Sequence, residues 1–191
     1  MKIKSILFFF LATYVIACTP STQLQKTWTD PSVTPETFQA FTKVLVVASM
    51  TDESSKRIAE DKIVAALRPG VGQQSYSYLQ ASDTNEAKLS AKLLKDGFDG
   101  ILLMRLTNVD KSVSYNQGAS YGGWYGYRYS EPGYYSEDKT YLVETNAYSL
   151  QPNKLLWSGT TASMNPTKLE TTLDAIIYAD KTQLLKQGLI K

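Results

Sequence analysis

Between residues 43 and 113 the sequence alternates strand patterns with helix patterns, and this alternation limits the folds open to the chain. The run "KVLVVASM" (43–50) is continuously apolar and rich in β-branched residues, which is typical of a strand covered on both faces. Helical spacing follows in "ESSKRIAEDKIVAALR", which the "PG" at 69 and 70 ends. A strand in "GQQSYSYLQ", a helix in "SDTNEAKLSAKLLKDG" and a strand from residue 98 then complete a β-α-β-α-β order, which favours parallel pairing.

The strand predicted from residue 98 changes character along its length. "FDGILLMRL" is apolar, as expected of a buried strand, whereas "TNVDKSVSY" alternates polar and apolar residues. Regular alternation predicts that Leu103, Val109 and Val113 share one face.

The second half of the chain predicts antiparallel strands and a final helix. "KTYLVETNAYSL" and "NKLLWSGTTASM" are separated by "QPN", in which Pro152 suits a tight turn, so a hairpin is expected. The closing helix has Asn165 or Thr167 as its expected N-cap, and its apolar stripe has one polar break, Asp180. The sequence therefore predicts an α/β (α+β-like) fold: a single mixed sheet of about five strands in the order β-α-β-α-β-β-β-α, with the helices packed on the sheet.

The first eighteen residues have the features of a bacterial lipoprotein signal. Lys2 and Lys4 flank the start of an apolar stretch of about a dozen residues, too short for a membrane-spanning helix. The ending "VIAC" resembles a lipobox, in which cleavage before Cys18 leaves that cysteine to carry acyl chains. Residues 1–17 are therefore expected to be a signal peptide, 18–36 a lipidated N-terminus and polar tether, and 37–191 a single α/β domain. An ordinary signal peptide followed by chance by a cysteine is the alternative.

The residues around the cleavage site also predict where the protein resides. Thr19 follows the cysteine, where an aspartate would resemble an inner-membrane retention signal. This favours the outer membrane, with the protein anchored by lipid and facing the periplasm; exposure at the cell surface is the other possibility.

Removal of residues 1–17 leaves 18 basic and 18 acidic side chains, and no cluster of five or more Lys and Arg is present. Nucleic-acid binding is therefore not expected.

The residue types that most catalytic sites need are missing from the chain. It has no histidine, and its only cysteine is Cys18. Histidine-dependent triads, zinc sites built from His and Cys, and thiol catalysis are therefore excluded, and no cofactor or metal is expected. Two pairs remain as candidates for an enzyme, Asp96 with Asp99 and Ser136 with Lys139. Turn chemistry explains the first pair, and the second lies in a glycine-rich loop and not on a helix, so no enzyme is predicted.

Several motifs resemble a set of small envelope lipoproteins of Gram-negative bacteria whose function is unknown. They are the lipobox, "TWTDP", "GFDGILL", "VETNAYS" and "LLWSG". In topology the chain is also similar, more distantly, to the amino-terminal domain of TolB and to the curli-secretion and penicillin-binding-protein-activator lipoproteins. The resemblance implies an envelope location and an interaction module, and it supplies no catalytic residues.

The stretch "SYGGWYGYRYSEPGYY" (120–135) interleaves seven aromatic residues with glycine. It lies in a Tyr/Gly-rich loop over 115–138, expected to connect two antiparallel strands. Tyrosine gives a large contact area for few rotatable bonds, and glycine lets the backbone adapt, a combination typical of binding loops. The predicted ligand-binding residues are Tyr121, Trp124, Tyr125, Tyr127, Arg128, Tyr129, Tyr134 and Tyr135. A mobile tip with some rings folded back onto the sheet is the alternative.

Together these features predict a binding or scaffolding module of the cell envelope. Its expected partners are the membrane, through the lipid on Cys18, and an envelope protein or peptidoglycan. The first alternative function is a glycan- or peptidoglycan-binding protein that uses the tyrosine-rich loop. The second is a carboxylate-dependent enzyme.

Overall fold

The chain follows the predicted alternation of strands and helices, with one strand added at the start. The computed structural model describes residues 21–34, 38–83, 85–116, 120–122, 128–130 and 134–191, without the side chains of 120–122 and 128–130. In chain order the elements are β1 (Thr22–Thr29), β2 (Val44–Ser49), α1 (Glu53–Ala66), β3 (Gly72–Gln74), α2 (Ser75–Tyr78), α3 (Glu86–Lys95), β4 (Gly100–Asn116), β5 (Ser120–Gly122), β6 (Arg128–Ser130), β7 (Tyr134–Ser149), β8 (Lys154–Met164) and α4 (Leu169–Lys186).

A six-stranded mixed sheet in the order β1-β8-β7-β4-β2-β3 forms the centre of the fold, and β5 pairs with β6 in a small separate sheet. β2 is parallel to β3 and β4, whereas the pairs β4–β7, β7–β8 and β8–β1 are antiparallel. The predicted mixed sheet is confirmed, with six strands where about five were expected. The added strand is β1, which pairs with β8 although its residues were expected to belong to the tether.

The sheet carries a hydrophobic core on each face. α1 and α4 cover one face, called here the α1/α4 face, where Val46, Met104 and Trp157 are buried. The other core lies against α3 and includes Leu45 and Leu93. Because neighbouring residues of a strand point to opposite faces, the central strand β2 must be apolar at every position, which explains its continuous apolar run.

β3 is shorter than predicted because a buried carboxylate turns the chain away from the sheet. Only Gly72–Gln74 form a strand, and Ser75–Tyr78 form one helical turn. Glu60 on α1 is fully buried and accepts hydrogen bonds from Ser75 Oγ (2.6 Å) and from the backbone N–H of Tyr76 (3.1 Å). It also accepts from the N–H of Ala48 in β2 (3.1 Å), beyond the last residue of β2 that pairs with β3. The carboxylate thus takes the place of the missing strand.

A β-bulge interrupts β4 halfway along its length. The register with β7 shifts between Leu106 and Asn108, so Thr107 is an extra residue. The Thr107 hydroxyl donates to the carbonyl of Leu142 across the pair (3.1 Å).

The bulge contradicts the predicted common face of Leu103, Val109 and Val113. One extra residue reverses the alternation, so Val109 and Val113 lie on the α1/α4 face and Leu103 lies on the opposite one. Regular spacing failed here because nothing in the local sequence marks the bulge.

Candidate functional site

Beyond its neighbours in the sheet, the β4–β7 pair continues as a two-stranded ribbon. β2 pairs with β4 only as far as Arg105, and β8 pairs with β7 only from Thr140 onward. Residues 110–116 and 134–140, called here the ribbon, pair with each other as far as Asn116 opposite Tyr134, and of these residues Thr140 alone, at the base, also pairs with β8. The segment 115–138 predicted to be a loop is therefore strand at both of its ends.

The two faces of the ribbon differ in chemistry. On the face continuous with the α1/α4 face, Val113, Tyr115 and Tyr135 have 68%, 57% and 75% of their surface exposed. The rings of Tyr115 and Tyr135 lie across the strands with centroids 5.0 Å apart. On the opposite face the hydroxyl oxygens of Ser114 and Ser136 are 3.1 Å apart and hydrogen-bonded. The first surface is called here the aromatic face of the ribbon.

The structure describes only some of the residues predicted to bind a ligand. Tyr134 and Tyr135 are exposed on the ribbon, on opposite faces. Three predicted residues lie on β5 and β6, in the part described without side chains: Tyr121, Arg128 and Tyr129. Four predicted residues lie outside the described residues: Cys18, Trp124, Tyr125 and Tyr127.

An open groove of about 590 Å³ lies at the base of the ribbon on the α1/α4 face. The connection from β2 to α1, the first half of α4, and the surface of β4 and β7 enclose it. Leu106 and Leu169 are 46% and 37% exposed there. The full lining is Ser49, Met50, Thr51, Asp52, Ser55, Leu106, Tyr141, Val143, Leu169, Thr172, Leu173 and Ile176. Sequence reasoning missed this groove because its walls come from three distant segments.

Short polar contacts fix the walls of the groove. Asp52 caps α1 by accepting a hydrogen bond from the backbone N–H of Ser55 (2.7 Å), and hydrogen bonding by Ser55 lowers the pKa of Asp52. Asn165 or Thr167 was expected to cap α4, but that helix begins at Leu169 without a side-chain cap. Instead the side chain of Asn165 accepts from the N–H of Lys139 (2.8 Å) and so joins the start of α4 to the ribbon.

The two aspartates considered for catalysis each have structural partners. Asp99 accepts hydrogen bonds from the backbone N–H groups of Thr42 (2.7 Å) and Lys43 (3.1 Å). Asp96 accepts from the Tyr78 hydroxyl (2.6 Å). Burial, with the hydrogen bond to Asp96, raises the pKa of Tyr78 to about 12. Both carboxylates therefore hold loops and side chains in place.

Ser136 and Lys139 do not converge. They are three residues apart on one strand, so they point to opposite faces of the ribbon. Ser136 bonds to Ser114, and the Lys139 amino group lies 3.6 Å from a Glu137 carboxylate oxygen on the aromatic face. The Ser-x-x-Lys spacing thus gives no nucleophile and base pair here.

A smaller cavity of about 30 Å³ lies between α1, α4 and the sheet, next to Asp180. This residue is 3% exposed. Its two carboxylate oxygens and the hydroxyl of Thr145 have no hydrogen-bond partner of good geometry within the described ranges. Burial raises the pKa of Asp180 to about 7, and the nearby Thr145 hydroxyl offsets only part of that rise. A cavity of this size has room for one or two water molecules.

Among the residues that the structure describes, no group of three or more His, Cys, Asp and Glu side chains is placed to hold a metal ion. In the same residues no helix has the length and apolar character needed to cross a membrane.

Comparison with known proteins gives matches at the level of structure. No protein-family model matches the chain, and no curated protein matches it. Similar solved structures include the PelC dodecamer from Paraburkholderia phytofirmans, with 11% sequence identity, a TM-score of 0.44 and coverage of 89% of this chain and 99% of that one. The lipoprotein GNA1162 from Neisseria meningitidis has 14% identity, a TM-score of 0.40 and coverage of 75% of this chain and 98% of that one. TolB from Acinetobacter baumannii is also similar, with 14% identity, a TM-score of 0.39 and coverage of 89% of this chain and 32% of that one. The resemblance to TolB predicted from the sequence is thus found among solved structures, but similarity this low does not carry a function to this chain.

Proposed function

We propose that the protein is an outer-membrane lipoprotein, anchored through Cys18 and facing the periplasm, that acts as a binding or scaffolding module of the cell envelope. The groove at the base of the ribbon is the observation that carries the binding role. Its surface gathers the exposed side chains of Leu106 and Leu169 in a concavity. Exposed apolar side chains gathered in a concave surface are typical of sites that a partner covers.

The shape of the groove suits a polypeptide segment with apolar side chains. β4 has no β2 neighbour after Arg105, so its backbone edge from Leu106 onward is open to another extended segment. Val143 and Leu173 form a buried apolar floor beside that edge. A bound segment could therefore combine backbone hydrogen bonds with the burial of its own apolar side chains.

A binding role fits the candidate catalytic residues better than an enzymatic one. Asp96 and Asp99 are engaged in separate structural hydrogen bonds, and Ser136 and Lys139 point to opposite faces of the ribbon. A hydrolytic site needs its acid, base or nucleophile to converge on one reacting atom.

Glycan binding is a second candidate function, and the exposed rings of the ribbon favour it. Tyr115 and Tyr135 present neighbouring aromatic surfaces with hydroxyl groups, on which a sugar ring could stack. Peptidoglycan is the glycan polymer expected in the periplasm.

The groove is tested by substituting its exposed leucines. Leu106→Ser with Leu169→Ser should abolish retention of an envelope protein by the immobilised mature chain, because the apolar contact is lost. Leu185→Ser is the matched control, since Leu185 is 43% exposed on the last turns of α4 and does not line the groove. Retained proteins are identified by mass spectrometry, and pelleting with isolated sacculi tests the glycan alternative. If the double variant and the control retain the same partner equally, the groove is not the binding site.

A further inference from the structure

The structured domain begins very close to the proposed lipid anchor. The sequence predicts a tether through residue 36, yet β1 begins at Thr22 and is built into the sheet. Only Thr19, Pro20 and Ser21 separate Cys18 from that strand. Four Cα–Cα steps of about 3.8 Å reach at most about 15 Å. A lipid on Cys18 therefore holds the Thr22 end of the sheet against the membrane surface.

The ribbon projects from the same end of the sheet. β1 and β7 run in the same direction because each is antiparallel to β8. Thr22 pairs with Ser163, and Ser163 pairs with Tyr141 in β7, so Thr22 is level with the base of the ribbon. β7 starts at the outer end of the ribbon and runs toward the domain. The chain thus enters β1 from the side on which the ribbon extends.

The ribbon is long enough to meet the surface that holds the anchor. From Tyr141 to Tyr134 it extends seven residues, or about 23 Å at about 3.3 Å per residue. This exceeds the reach of about 15 Å from Thr22 to Cys18. A ribbon that pointed straight at the membrane would therefore pass its surface by about 8 Å, roughly the outer third of the ribbon, so that this part would enter the bilayer unless the ribbon lay along the surface.

The faces of the ribbon decide between these two arrangements. Ser114 and Ser136 occupy the face opposite to the aromatic one, together with Asp110 and Asp138, and such groups are costly to bury in hydrocarbon. The aromatic face carries Tyr115 and Tyr135 as neighbours, and tyrosine favours the headgroup level of a bilayer, whereas Tyr134 lies at the outer end of the polar face. The ribbon therefore suits the membrane surface, with one face in contact with lipid and the other in water.

The two faces of the ribbon also differ in their charged side chains. Lys111 and Lys139 lie directly opposite each other on the aromatic face, where Glu137 is the nearest counter-charge. Two like charges in opposite positions destabilise a strand pair unless an anion lies nearby. The other face carries the carboxylates of Asp110 and Asp138. The aromatic face is thus the more positive one, which suits the phosphate groups of phospholipids.

We propose that the aromatic face of the ribbon lies on the phospholipid surface that carries the Cys18 lipid. Tyr115 and Tyr135 sit at headgroup level, and Lys111 and Lys139 lie beside phosphate groups. This contact gives the anchored domain one orientation and keeps the groove close to the membrane. The inference rests on the proposed anchor at Cys18 and names the surface that the ribbon contacts.

The test measures vesicle binding without the acyl chains. The mature chain from residue 18, carrying Cys18→Ser, is sedimented with vesicles of phosphatidylethanolamine and phosphatidylglycerol. It should bind, and Tyr115→Ser with Tyr135→Ser should lower the partition coefficient about tenfold or more. Tyr178→Ser is the matched control, since Tyr178 is as exposed as Tyr135, at 75%, but lies on α4. Lys111→Ser with Lys139→Ser should weaken binding only when phosphatidylglycerol is present.

The possible outcomes separate this inference from the proposed function. Failure of the unacylated chain to bind vesicles, or equal binding by the double tyrosine variant, overturns the membrane contact. If the tyrosine variant instead loses binding to sacculi or to an envelope protein, the ribbon serves that partner, and the inference is wrong while the binding module stands. The anchor is tested separately, because Cys18→Ser should abolish the labelling of the protein with palmitate in cells, a readout that contact between the ribbon and phospholipid does not change. Melting temperatures of all variants confirm that the fold is intact.

Discussion

Among single residues, Asp180 makes the stability of the fold depend on pH. Its ordinary pKa is 3.8, and burial raises the pKa to about 7 in the folded protein. Between these values the unfolded chain has lost a proton that the folded protein keeps. The contribution of Asp180 to stability is therefore fully present below about pH 4 and is lost as the pH rises toward about 7.

Asp180→Asn should remove this dependence, because the amide is neutral at every pH of interest. The free energy of unfolding of the variant relative to wild type should rise by about 2 to 3 kcal/mol between pH 5 and pH 8. Urea denaturation at both pH values measures it, and the comparison cancels the other titrating groups. A difference between the two proteins that stays constant with pH would contradict the assignment.

At the level of elements, packing explains why a glycine lies two residues after the tryptophan in the "LLWSG" segment of β8. Trp157 is fully buried, and its ring lies against Gly159, two residues along on the same face. A Cβ built on Gly159 would lie 2.3 Å from that ring. The strand therefore needs a residue without a side chain at this position.

Gly159→Ala should lower the free energy of unfolding by about 1 to 3 kcal/mol, because the fully buried Trp157 ring would have to shift within the core to make room for the added methyl group. Thermal unfolding followed by circular dichroism measures the loss. The control is Ser158→Ala, which changes the neighbouring residue on the other face of β8 and should have little effect. Equal melting temperatures for Gly159→Ala and wild type would show that the ring can shift.

The elements that sequence patterns predicted well are those whose partners are close in the chain. The apolar run of β2, the helical spacing of α1 and the β7–β8 hairpin depend on local spacing and turn chemistry. The patterns failed where a distant residue decides the structure. Glu60 ends β3 by accepting a hydrogen bond from Ser75, fifteen residues away in the chain. The segment Thr22–Thr29 forms a strand because it pairs with β8, which is far away in the sequence.

Across the whole molecule, the tyrosine-rich segment begins and ends as strand, because residues 115–116 and 134–138 belong to the ribbon. The sequence placed it correctly between two antiparallel strands, but composition alone could not show how far those strands pair. The groove was out of reach of sequence reasoning, since only the folded sheet brings Leu106 and Leu169 to one surface. Aromatic residues were visible in the sequence, whereas the concavity beside them was not.

Replacing residues 118–133 with a short Gly/Ser turn should leave the melting temperature within a few degrees of wild type. Asn116 and Tyr134 are cross-strand neighbours, so a short turn can close the ribbon, and the ribbon lies beyond β2 and β8. Differential scanning calorimetry measures the change. A large loss of stability would show that rings from the replaced segment pack on the core.

With the proposed lipid on Cys18, the position of β1 would also set how the protein responds to mechanical force. Tension on the Cys18 lipid would act at the Thr22 end of β1 and along its axis, away from the domain. Along Thr22–Thr29 this strand forms a ladder with β8, and α4 is packed against it. A pull along the strand shears all of the ladder hydrogen bonds at once, whereas a pull across it would break them one by one. The edge strand is thus loaded in its strongest direction, so the force at which the domain separates from its anchored end should depend on the pairing of β1 with β8.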